Sequence, residues 1–155
     1  MKKLVSLFLV LLTVSFVSCS KDDSPNDDAQ DELYLKFTYN GQQYNFNPET
    51  ITSLQKAVSG QQESNSIITR LVLWMPVDPS IGSHPITDET PTDTNLETLY
   101  NAELWVGDAT FTALSGTLVI TEKNDEFIKG TFSFSGEDEN GNAAVISDGS
   151  FSAYN

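Results

Sequence analysis

One histidine, one cysteine, two tryptophans and 22 carboxylates are the residues of this 155-residue chain whose types lend themselves to chemistry. His84 stands beside Pro85 with no second His or Cys nearby, so its neighbours build neither a zinc site nor a proton relay. A serine triad would need that same His84 and an activated serine, and no Gly-x-Ser-x-Gly elbow surrounds any serine. No glycine-rich phosphate loop occurs. Asp138-Glu139-Asn140-Gly141-Asn142 sets oxygen atoms at alternate positions, as a calcium loop does. It lacks the glycine at the sixth position and the bidentate glutamate at the twelfth, and reads better as a hairpin tip. Carboxylate pairs such as Glu103 with Asp108, or Asp125 with Glu126, would suit glycoside hydrolysis if held on facing strands. Among 22 acidic residues some such pairs always arise. The sequence therefore assigns no catalytic residue, no cofactor and no metal ligand.

The tryptophans offer more. Trp105 alternates with Leu104 and Val106 and shares a strand face with Glu103; Trp74 shares one with Arg70 and Val72. An outward tryptophan beside polar groups is a platform for sugar rings, with an apolar body and a polar tip. An inward one is simply core, the commoner fate of large aromatics. Trp74 and Trp105 are thus the candidate ligand-binding residues, for a glycan or a protein partner.

The elements that must position them read as strands. Leu33 to Tyr39 alternates with Leu33, Leu35, Phe37 and Tyr39 on one face, and Asn40-Gly41 follows, a dipeptide suited to the positive φ angles of a type I′ hairpin. Gln43 to Phe46 returns, and Pro48 ends it. Segment 49–58 is ambiguous, since Ile51, Leu54 and Val58 fit a helix as well as a strand. Gly60 to Ser64 reads as a turn, and Ile67 to Met75 as a strand buried on both faces. Pro76 to Asn95, with four prolines, predicts a long loop that is either functional or packed over a sheet edge. Thr98–Val106 and Ala109–Leu114 follow as strands around Gly107-Asp108. Gly116–Glu122, Phe127–Ser135 and Ala143–Ala153 complete a meander. The pattern predicts an all-β domain over residues 33–155, an antiparallel β-sandwich or open β-barrel of seven to nine strands.

The N-terminus carries an address. Met1-Lys2-Lys3 precedes Leu4 to Val17, an apolar run of 14 residues, and a spanning helix needs about 20. The run ends in Phe16-Val17-Ser18-Cys19, which resembles a bacterial lipoprotein cleavage site, although Phe16 and Val17 depart from the usual Leu and small residue. By that resemblance residues 1–18 are a signal peptide and Cys19 is the acylated first residue. An unpaired cysteine has no disulfide partner in an oxidising envelope, so lipidation gives it a role. Ser20-Lys21-Asp22-Asp23 resembles the export signal behind the cysteine of surface-displayed Bacteroidota lipoproteins. Residues 19–32 are too polar to bury a core and read as an acidic tether. The formal charge of −14 becomes two units more negative without Lys2 and Lys3. That acidity disfavours nucleic acid and anionic lipid surfaces as partners.

Three late segments carry a family likeness: Ser115-Gly116-Thr117-Leu118-Val119-Ile120-Thr121, Lys129-Gly130-Thr131-Phe132-Ser133-Phe134, and Ile146-Ser147-Asp148-Gly149-Ser150-Phe151. With the early Tyr39-Asn40-Gly41 turn, they resemble an uncharacterised surface-lipoprotein family of the Bacteroidota. The resemblance implies an all-β fold and lipid anchorage in the outer membrane, facing the extracellular side. It assigns no catalytic or binding residues. The expected activity is that of a non-catalytic binding or interaction module for a glycan or envelope protein. The alternatives are a structural subunit of an envelope complex and a carboxylate-based hydrolase, which needs two carboxylates converging in a pocket.

Overall fold

Alternation with a period of two puts every second side chain on one face of a strand, and this chain alternates almost from end to end. The computed structural model describes residues 33–52 and 55–155; Cys19, Ser20, Lys21, Asp22 and Asp23, with the signal peptide and tether, lie outside the described residues. Asp31–Asn155 is a compact unit that holds every described strand. The strands are β1 (Tyr34–Tyr39), β2 (Gln42–Phe46), β3 (Glu49–Thr52), β4 (Gln55–Ser64) and β5 (Ile67–Pro76). They continue as β6 (Gly82–Thr87), β7 (Asn101–Val106), β8 (Ala109–Lys123), β9 (Phe127–Glu137) and β10 (Ala143–Tyr154).

All pairings are antiparallel, in the order β2-β1-β10-β9-β8-β7-β5-β4-β3, with β6 also on β8. The two ends of that order, β2 and β3, are separated in sequence only by Asn47-Pro48. Three Cα steps reach at most about 11 Å, so the sheet must curl until its edges meet. Phe46 of β2 accordingly packs onto β4, where a Cβ on Gly60 would come within 2.7 Å of the Phe46 Cβ. The open barrel is the architecture, and one curled sheet replaces the two of a sandwich.

The barrel interior is a single apolar cluster that includes Leu35, Phe37, Leu71, Leu73, Leu104, Leu118, Ile120, Ile128, Phe132, Phe134 and Phe151. A narrow interior cannot hold a large side chain at every inward position, so large and small alternate. The late Gly-x-Phe motifs solve this reciprocally. Gly130 pairs with Phe151 and Gly149 with Phe132, each ring lying over a glycine on the next strand, and Gly116 pairs with Phe134, whose Cα and Cβ leave no room for a side chain there. The motif is a packing code for the β8–β9–β10 wall.

Several local expectations give way to these long-range contacts. The ambiguous segment 49–58 forms β3 and the start of β4. Gly60 to Ser64 is strand, and the turn is Asn65-Ser66, both with positive φ. Gly60 is small because Phe46 needs the space above it, and no turn is involved. Likewise Ser115-Gly116 does not break β8, which runs 15 residues with register shifts between Ala113 and Ser115 and between Ile120 and Glu122. The long loop expected at 76–95 contains β6. That strand has β8 as its ladder partner, so Pro85 is accommodated on its unpaired side.

β6 and β7 lie end to end along the same edge of β8, opposite residues 115–120 and 109–112. Segment 88–100 is therefore an excursion from one strand position, an Ω-loop with its ends pinned together. The Thr87 N–H donates to the Tyr100 carbonyl at 3.2 Å, and Asn101 Nδ2 donates to the Thr87 and Glu89 carbonyls. Asn95 organises the interior: its Oδ1 accepts from the Thr92 N–H, its Nδ2 donates to Thr90 O, and its carbonyl accepts from the Thr98 and Leu99 N–H groups.

Candidate functional site

The β5–β7 register decides where the tryptophans go. Leu71 faces Leu104 and Leu73 faces Ala102 on the inner side, which leaves Arg70 opposite Trp105, Val72 opposite Glu103 and Trp74 opposite Asn101 on the outer side. Both tryptophans therefore share one outward face, half-buried, on neighbouring strands. They are offset by four residues, roughly 14 Å along the strands. Arg70 places its guanidinium over the Trp105 ring, 5.3 Å from its centre, a cation–π contact across the β5–β7 pair. Glu103, half-buried between the tryptophans, has its carboxyl raised above the usual range by burial, partly offset by Arg70. Trp74 stands at one end of the strip and Trp105 with Arg70 at the other, and the middle rung is Glu103 beside the buried Val72.

The carboxylates do not meet as the sequence paired them; instead Asp108 joins Asp138 and Glu139 around a depression of about 380 Å³. Glu103 sits in β7 while Asp108 is exposed in the turn beyond it, and Asp125 and Glu126 are exposed in the β8–β9 turn. The Asp138 carboxylate caps its own hairpin, accepting the N–H groups of Asn140 (2.9 Å) and Asn142 (2.8 Å) and the Asn142 Nδ2 (2.8 Å). Those bonds, the Asn142 ones foremost, hold its pKa low. Among the described residues no three His, Cys, Asp or Glu side chains are grouped to hold a metal ion.

His84 departs most from its expected setting. It lies in β6 rather than in a loop, half-buried, with its ring stacked on Tyr100 at 4.1 Å between centroids. Its Nε2 lies 2.8 Å from the Ser80 carbonyl. The stack ties β6 to the base of the Ω-loop, a structural use that the lone histidine gave no local signal of.

A buried lysine also went unsignalled. Lys56 is 2% exposed, because its neighbours on the inward face of β4 and β5, Val58, Leu73 and Met75, turn it into the barrel. Its Nζ donates to Asn155 Oδ1 at 2.6 Å, while Lys123 pairs with Asp78 and donates to the Pro79 carbonyl. Burial lowers the Lys56 pKa, Lys123 lowers it further, and Asp78 partly restores it. The folded protein then binds fewer protons than the unfolded chain between the lowered pKa and the ordinary 10.5. Stability is expected to rise with pH across that interval and to stay flat below it, as far as this group is concerned. Urea unfolding at stepped alkaline pH checks this against Lys56→Met, in which the rise should vanish; a Met variant with an unchanged slope would assign the rise to other groups.

Comparison of the chain with family models, with curated proteins and with solved structures gave no match.

Proposed function

We propose that the protein is a surface-tethered, non-catalytic binding module that takes a glycan on the outer face of β5 and β7. The observation that supports this is the placement of Trp74 and Trp105 on one outward strip, with Glu103 between them and Arg70 against Trp105. Aromatic rings at the two ends of a shallow strip suit stacking against sugars, and the charged groups of Glu103 and Arg70 suit their hydroxyls. For the hydrolase alternative, the carboxylates that line a common depression are Asp108, Asp138 and Glu139, and Asp138 is already engaged by the N–H groups of its own hairpin. In the same reading, Cys19 carries the lipid that holds the protein in the outer membrane, and Ser20 to Asp23 direct it to the extracellular side. Several acyl chains give firm anchorage where one is marginal. The late segments around Gly116, Gly130 and Gly149 resemble those of a Bacteroidota surface-lipoprotein family, which supports this reading.

The test is a glycan screen of residues 31–155, the unit that holds all ten described strands. Trp105→Ala and Trp74→Ala are each expected to weaken the best ligand about tenfold or more, the scale of one lost base- or sugar-type stacking contact of an exposed aromatic. Retained binding in both variants would remove the strip from consideration.

A further inference from the structure

On the opposite wall of the barrel, with β8 and β9 between it and β7, the outer surface is hollowed where a convex sheet ought to be smooth. A depression of about 330 Å³ lies over β1, β2 and β10; Lys36, Thr38, Gln43, Asn45, Asp148 and Ser150 give it polar lining, and the stacked pair Phe37 and Tyr44 completes it. Its cause is a β-bulge. The β1–β10 register slips between Lys36 and Thr38, and the β10–β9 register slips between Ile146 and Gly149. β10 carries one extra residue here, so that Ser147 and Asp148 together stand opposite Ser133 of β9, and Asp148 has φ +52°, a left-handed backbone rare for any residue but glycine and best tolerated by Asn and Asp. A glycine there would fit the backbone more easily. Bulges of this kind re-aim a side chain, and here the side chain is a carboxylate at the rim of a depression.

The lining is chemically specific. Cross-strand pairs put Lys36 directly between Asn45 and Ser150, and Thr38 beside Gln43 and Ser147. The Lys36 ammonium is steered by the Tyr34 ring, 4.5 Å from its centre. Ser147 Oγ donates to Asp148 Oδ2 at 2.8 Å, which orients the carboxylate. The six side chains supply a cationic donor, two amides that donate and accept, two hydroxyls and an anionic acceptor. Neighbouring hydroxyl groups on a sugar ring each donate and accept, and they match that mixture; a simple anion or cation would satisfy only half of it.

We propose that this bulge-made depression is a second ligand site, for a saccharide bearing vicinal hydroxyls, with Asp148 accepting and Lys36 and Asn45 donating. It is independent of the tryptophan strip. The experiment is an amide-resolved NMR titration of residues 31–155 with the methyl glycosides of glucose, galactose, mannose and N-acetylglucosamine. At least one glycoside is expected to shift the amides of residues 36–38, 43–45 and 147–150 saturably. Asp148→Asn, which keeps the backbone conformation, and Lys36→Met should each weaken that site about tenfold, the scale of one hydrogen bond to a charged group. Trp74→Ala and Trp105→Ala should leave it unchanged. Should Asp148→Asn lose its dispersed spectrum, Asp148→Gly removes the same carboxylate without backbone strain. Absence of saturable shifts at those amides, or full affinity in both the Asp148 and Lys36 variants, overturns the proposal. Shifts confined to residues around Trp74 and Trp105 overturn it too, while leaving the function proposed for the strip intact.

Discussion

Phe151→Ala is expected to remove about 3–5 kcal/mol of stability, the range for truncating a fully buried phenylalanine. Phe151 is 0% exposed, lies between Leu35 of β1 and Gly130 of β9, and packs near Phe132 with ring centres 6.5 Å apart. Cavities are costly when the surroundings cannot collapse into them. Here the floor is a glycine, which has no side chain to move, and the walls are paired backbone on both sides. Against the roughly 5–15 kcal/mol that holds a domain of this size folded, such a loss takes a large share of the whole. Urea unfolding followed by tryptophan fluorescence reads it directly, with Phe151→Leu as the milder comparison. A loss below that of Phe151→Leu would mean the ring is not the keystone of the β9–β10 wall.

Gly130→Ala attacks the same place from the other side and is expected to cost about 1–3 kcal/mol or more, the cost of overpacking a filled core. The added methyl would press on the Val119 carbonyl and stand 2.7 Å from the Phe151 ring. The carbonyl belongs to the β8–β9 ladder and cannot yield, so the ring must tilt or the ladder must part. The two variants should therefore couple. In a Phe151→Ala background the ring conflict is gone and only the carbonyl conflict remains, so Gly130→Ala should cost less there than in the parent. A double-mutant cycle measures the difference, expected at about 0.5–3 kcal/mol for residues in contact. Strict additivity would show that the glycine is small for some reason other than the ring above it.

These two residues also show why parts of the chain were legible beforehand. The strands β1, β2, β9 and β10 and the Asn40-Gly41 turn follow from local signals, namely period-two alternation and two successive positive φ angles. The outward orientation of Trp74 and Trp105 follows from the same alternation once Leu71, Leu73 and Leu104 point inward. Glycine was the ambiguous letter. At Asn40-Gly41 it marks a turn, whereas at Gly60 and Gly116 it marks the shadow of Phe46 or Phe134 on a neighbouring strand. Nothing within a few residues distinguishes the two uses. His84 and Lys56 were opaque for the same reason. The stacking of His84 on Tyr100 and the bond of Lys56 to Asn155 span 16 and 99 positions.

What the sequence by itself determined is the periodic part: an all-β chain, most of its hairpins, and which face of each strand is apolar. Alternation and turn chemistry are properties of adjacent residues, so they survive without knowledge of the fold. The tertiary structure alone decided that β1 lies beside β10 and β5 beside β7, that β2 and β3 draw the sheet into an open barrel, and that the tryptophans stand four residues apart on one strip. It also decided that a bulge in β10 hollows the far wall at Asp148. Those arrangements depend on how many large side chains a curled sheet can enclose, a volume condition summed over strands distant in the chain.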